Sequence, residues 1–87
     1  MKNQHTFEFE SKEFVLRKTT GIEIWVDGVH KSYFSSNSNS FNKLYELLLR
    51  VSFGKYGYAN VNSVLKIHNR ADVEFHIFLD TVGEEWK

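Results

Sequence analysis

The sequence contains no cysteine. This absence excludes disulfide bonds, thiol nucleophiles, and zinc or iron–sulfur sites held by thiolates. The first residues, MKNQHTFEFE, lack the apolar segment of a secretory signal peptide. No apolar run reaches the roughly 18 residues that a membrane-spanning helix needs. We therefore expect neither export nor a membrane span, and a cytoplasmic location.

The chain also has no net charge, because 11 Lys and Arg residues balance 11 Asp and Glu residues. No long-range field therefore draws the chain to nucleic acid or to an anionic membrane, although a local patch of charge stays open. Hydrophobic residues make up 41% of the 87 residues, and aromatic residues make up 16%. This composition predicts one folded domain over residues 1–87, with large rings filling a small core.

The first part of the chain shows apolar residues in alternation. The segments HTFEFE, EFVLRK and IEIWVD each place apolar residues at every second position. This period of two predicts half-buried strands. The dipeptide Asp27-Gly28 is a strong hairpin signal between two such runs, so a fourth strand is expected after it.

The turns between the strands determine the predicted register. A turn at residues 11–12 sets Phe9 opposite Phe14 on the apolar side. The third turn sets Lys31 opposite Ile24, also on the apolar side. An inward-leaning Lys on an edge strand discourages pairing with another sheet, so we interpret Lys31 in that way.

A helical period begins after the run of Ser and Asn residues at positions 35–40. Ser38 and Ser40 are candidate N-caps for this helix, and Gly54 is the candidate left-handed residue at its end. The apolar stripe, at spacings i, i+3, i+4, i+7 and i+10, consists of Phe41, Leu44, Tyr45, Leu48 and Val51.

Alternation returns in the last third, in VNSVLKIH and VEFHIFLD. These segments predict a second hairpin with Asn69 opposite Val73. The predicted order β-β-β-β-α-β-β is a two-layer α+β fold, in which one helix packs on one face of a mostly antiparallel sheet. The predicted core comprises Phe7, Phe9, Phe14, Leu16, Ile22, Ile24, Val26, Phe41, Leu44, Leu48, Val51, Leu65, Ile67, Phe75 and Ile77.

Motifs for catalysis are missing as well. The chain has no Gly-x-Ser-x-Gly elbow, no His-Glu-x-x-His pair and no phosphate-binding loop. His68, Glu74 and His76 would share the outer face of the predicted second hairpin, but Lys66 would face His76 and disfavour a cation there. We therefore predict a protein that is not an enzyme and that carries no metal and no cofactor.

The segment RVSFGKYGYANV supports one alternative function. It combines the cations Arg50 and Lys55 with the rings of Tyr56 and Tyr58. Proteins that bind single-stranded nucleic acid use such rings to stack on bases and such cations to contact phosphates. The neutral net charge weakens this hypothesis, because neutralisation of phosphates dominates the affinity of these proteins.

The outward side of the first four strands supports the hypothesis that we prefer. Trp25 is predicted to lie beside Val15 and His30, with Arg17 and Glu23 at the rim. An aromatic side chain next to a β-branched one, inside a charged rim, is typical of the centre of a protein interface. The sequence thus predicts a small protein-binding module.

This hypothesis leaves several versions open. By analogy of size, the module is a phage or mobile-element inhibitor that binds and blocks a larger host enzyme. A homodimer through the outward faces, including Val64 and Phe78 of the predicted second hairpin, is another version. The structural alternative to this hypothesis is that the four strands curl, or that the C-terminal tail with Trp86 folds back and covers Trp25, which leaves no exposed aromatic group for a partner.

Overall fold

The computed structural model describes residues 3–35, 40–56 and 60–83, without the side chains of residues 54–56. The chain forms an α+β fold, as predicted, in which four antiparallel strands follow one another in the sheet order β1-β2-β3-β4. The elements are β1 Gln4–Phe9, β2 Lys12–Lys18, β3 Gly21–Val26, β4 Val29–Ser35, α1 Ser40–Tyr56 and α2 Val61–Val82.

The last third of the chain is a helix and not the predicted hairpin. Helix α2 has 22 residues, and Asn60 caps its start by accepting a 2.8 Å hydrogen bond from the backbone N–H of Ser63. Gly83, with a φ of 68°, ends the helix in the left-handed conformation. The prediction of two further strands was wrong, and so was the prediction of a single helix.

The two helices form one layer against the sheet, with α1 next to β4 and α2 next to β1. They run antiparallel, since Phe41 at the start of α1 lies 6.3 Å from Phe75 in α2 (ring centroids), while Ser52 and Ser63 line a common cavity. Helix α1 begins at Ser40, one of the predicted caps, but it continues through Gly54, the predicted end.

The register of β1 and β2 differs from the prediction by two residues. The turn lies at Glu10 and Ser11, whose φ angles of 53° and 65° are both positive. This turn sets Phe7 opposite Phe14, whereas the predicted partner of Phe14 was Phe9. A shift of two residues leaves every side chain on its predicted face, because alternation has a period of two.

A bulge in the β3–β4 pair changes which residues of β4 point inward. The register shifts between Ile24 and Trp25, so Ile24 lies opposite Ser32. Lys31 therefore does not lie opposite Ile24, as was predicted, but it is exposed at the bulge and borders the helix side of the sheet with Val26 and Leu47. The extra residue turns Phe34 into the core, where it is 6% exposed.

The core lies between the inner face of the sheet and the helix layer. Most of its predicted members are buried, and Phe9, Phe41 and Val51 pack partly buried against it. Leu65 and Ile77, which were predicted to be buried, are 55% and 42% exposed. Core residues that the prediction omitted are Phe34, Leu47, Ala71 and Phe78.

Candidate protein-binding face

The outer face of the sheet brings the five predicted protein-binding residues together. Strand pairing sets Val15 opposite Trp25 and Arg17 opposite Glu23. The next pair sets His30 opposite Trp25. Residues that oppose one another across neighbouring strands share one face, so these five side chains form a single surface, named here the Trp25 face.

The indole ring of Trp25 is held in place by two neighbours. Its centroid lies 5.3 Å from that of His30, with the two rings edge to face. Its Nε1 donates a 3.1 Å hydrogen bond to Oε1 of Glu23. The side chain is half-buried by these contacts, and less side-chain entropy remains to be lost when a partner binds.

A shallow cavity of about 190 Å³ opens beside the indole, and its lining includes Val15, Arg17 and Trp25. Its volume is below the roughly 300–1,000 Å³ of typical small-molecule sites. The cavity therefore suits a side chain of a protein partner better than a separate small ligand.

Tyr33 belongs to the same face, although the sequence did not place it there. The bulge in β4 sets Tyr33 opposite Glu23, and the side chain is 48% exposed. Its hydroxyl lies 3.0 Å from the hydroxyl of Thr20. The predicted register had turned Tyr33 inward, so no local pattern identified it as a surface aromatic residue.

Helices α1 and α2 pack on the opposite side of the sheet, where its buried side chains point. Within residues 3–35, 40–56 and 60–83, the aromatic and hydrogen-bonding partners of Trp25 are His30 and Glu23, both from the sheet itself. Trp86, which the sequence allowed as a cover for Trp25, lies outside the described residues.

Both edges of the sheet carry features that oppose the addition of another strand. At the β1 edge, Nη2 of Arg70 donates a 2.7 Å hydrogen bond to the carbonyl oxygen of Glu8. At the β4 edge, the bulge places an exposed Lys31. Bulges and charged side chains are common protections of sheet edges, so the face of this sheet is a better binding surface than its edges.

The predicted nucleic-acid loop is described only in part. Arg50 is exposed on α1, whereas the side chains of Lys55 and Tyr56, and all of Tyr58, lie outside the described residues. The structure places Arg50 at an open groove of about 250 Å³, whose lining residues are Lys12, Val26, Lys31, Leu47, Arg50 and Val51.

The three side chains considered for metal binding are separated by the helical geometry of α2. The ring of His68 packs against that of Phe41, with 5.1 Å between their centroids. The Nε2 of His76 lies 3.3 Å from Oδ1 of Asp72. Glu74 points into the sheet side of the helix and is 8% exposed. In the described part of the chain, no three His, Asp or Glu side chains come close enough to hold a metal ion.

Glu74 instead forms a polar cluster that joins α2 to β1. Its Oε2 lies 2.5 Å from Nε2 of His5. The buried Nε of Arg70 lies 3.1 Å from Glu74 Oε1, an ion-pair distance without hydrogen-bond geometry. The Arg70 guanidinium also lies 5.5 Å from the centre of the Phe7 ring. The cluster therefore has a structural explanation, the docking of α2 on the sheet.

Replacing Glu74 with Gln is expected to lower the free energy of unfolding by about 1–2 kcal/mol, because hydrogen bonds to charged groups are stronger than those to neutral ones. Urea denaturation would measure the change. Asp72→Asn is the matched control on the same helix, since Asp72 is 54% exposed and should cost less than about 0.5 kcal/mol. Equal effects of the two substitutions would contradict a role of the cluster in docking α2.

None of the helices in the described ranges combines the length and the apolar character needed to cross a membrane. Comparison of the chain with protein families, with curated proteins and with solved structures finds no match.

Proposed function

We propose that this protein is a small non-catalytic binding module that recognises a protein partner through the Trp25 face. The observation that carries the proposal is the position of Trp25, a braced and half-exposed aromatic ring on the sheet face opposite the helices. Trp is among the side chains most enriched at positions that dominate binding energy in protein interfaces.

The surroundings of the ring indicate the chemistry of the partner surface. Val15 provides an apolar neighbour, while Arg17 and Glu23 place both signs of charge at the rim. A complementary partner would insert an apolar side chain beside the indole and surround it with polar groups of both signs. Rim charges set orientation, whereas burial of the ring provides most of the affinity.

More specifically, we propose that the protein is a cytoplasmic inhibitor, encoded by a phage or mobile element, that blocks a larger host enzyme. Supporting it are the small domain, the absence of catalytic motifs from the sequence and an extended sheet face that could cover another protein's site. Inhibition would arise by steric masking of that site, without chemistry on a substrate.

A photo-crosslinking amino acid at Arg17, on the rim of the face, would identify the partner in the native host. Purified partner and module would then be titrated by calorimetry. We expect Trp25→Ala to raise Kd at least about 30-fold, the loss expected for a dominant interface residue. The fold should persist, because a cross-strand pair contributes only roughly 0.2–1 kcal/mol.

Phe53→Ala is the matched control, because Phe53 is an exposed aromatic residue on α1, away from the Trp25 face. This substitution should change Kd by less than about twofold. Similar losses for both variants, or none for Trp25→Ala, would contradict the proposal. Binding of oligothymidylate that falls steeply with salt would instead support the nucleic-acid alternative at Arg50.

A further inference from the structure

The groove that contains Arg50 lies on the helix side of the sheet, apart from the Trp25 face. Its floor is aliphatic and comes from Val26, Leu47 and Val51. Its rim carries Lys12 and Lys31 in addition to Arg50. These cations come from β2, β4 and α1, so only the folded chain brings them together.

Among the residues that the structure describes, two of the three cations have no counter-charge within the chain. The Nζ of Lys12 lies 3.6 Å from Oδ2 of Asp27. Lys31 and Arg50, in contrast, form no ion pair with any side chain in the described part of the chain. Glu46, four residues before Arg50, lies 4.0 Å from Lys43 instead. Like charges that share a groove repel one another, and a bound anion would relieve that repulsion.

We propose that this groove binds an acidic peptide segment that also carries a large aliphatic side chain, supplied by a protein partner. Carboxylates would contact the rim cations, and the aliphatic side chain would cover Leu47 and Val51 on the floor. Among the described residues that line the groove, none carries an aromatic ring on which a nucleic-acid base would stack. The floor and the rim together therefore favour a peptide over a nucleic acid.

This second site does not depend on the Trp25 face. A library of random 12-residue peptides would be selected on the full chain and sequenced. We expect enriched peptides to combine several Asp or Glu residues with Leu, Ile or Met. Their affinity, measured by fluorescence anisotropy, should fall at least about tenfold in the double variant Lys31→Glu and Arg50→Glu, because rim charges would then repel carboxylates.

The matched control is the double variant Lys43→Glu and Lys66→Glu, which changes the net charge equally on exposed positions outside the groove. Its affinity should stay within about threefold of the original chain. Trp25→Ala should leave peptide binding unchanged, which separates this test from that of the proposed function. Circular dichroism would verify that the charge-reversed chains fold.

Three outcomes would overturn the inference. In the first, selection enriches no acidic peptides. In the second, the enriched peptides bind the groove variant as tightly as the original chain. In the third, oligothymidylate binds the groove and displaces the peptides, so the natural occupant is a nucleic acid. Replacement of the peptide's aliphatic residue with Ser should also weaken binding, and unchanged affinity would contradict the aliphatic part of the proposal.

Discussion

Replacing Phe78 with alanine is expected to lower the free energy of unfolding by about 3–5 kcal/mol, the usual cost of removing a buried ring. Phe78 is 0% exposed, and its ring lies 6.4 Å from that of Phe75 within the core. In a domain of this size each kcal/mol lowers Tm by roughly 4–8 °C. Thermal and urea denaturation should therefore show a drop in Tm of at least about 12 °C.

The adjacent residue provides the control. Ile77 is 42% exposed, so Ile77→Ala should cost less than about 1 kcal/mol. A hairpin over the last third would reverse this ranking, because its alternation places Ile77 in the core and Phe78 outside. A larger loss for Ile77→Ala than for Phe78→Ala would thus contradict helix α2.

Replacing Gly21 with alanine should cost about 2–4 kcal/mol, although only one methyl group is added. A Cβ at this position would lie 2.3 Å from the backbone oxygen of Phe34 and 2.9 Å from the Tyr33 hydroxyl. A backbone oxygen cannot rotate away as a side chain does. The first pair of the β3–β4 ladder, Gly21 with Ser35, would therefore have to separate.

Gly28→Asn is the control for this effect. Gly28 has a φ of 79°, and a Cβ there would meet open space, with no other described part of the chain within 4 Å. Asn tolerates left-handed backbone better than most residues. We expect a loss of less than about 1 kcal/mol, measured by urea denaturation. If Gly21→Ala proves equally mild, the close approach of β3 and β4 at Phe34 is wrong.

The error in the last third shows what a sequence pattern leaves undecided. Ile67 and Phe75 fit both a strand face and a helix face, because they are eight residues apart. The alternation around Phe75 favoured strands, whereas burial of Ala71 and Phe78 follows the helical period. The segment from 61 to 82 contains neither Gly nor Pro, so no strong turn signal supported a hairpin there.

The candidate sites differ in how far they were predictable. The Trp25 face followed from alternation and from the two turns that flank β3, which are local features. Tyr33 was missed because its direction depends on the bulge. The groove was missed because Lys12, Lys31 and Arg50 lie far apart in sequence, and no spacing rule relates them.

By itself, the sequence determined the four-strand meander, helix α1 and the outward direction of Trp25. Each of these depends on neighbours within a few positions, through side-chain alternation, turn chemistry or helical spacing. Only the tertiary structure decided that the last third is helical, that β4 bulges to bury Phe34, and that three cations meet at one groove. Those outcomes depend on which apolar surfaces pack against one another across the fold. The burial of apolar surface is decided by the whole chain and not by neighbouring residues.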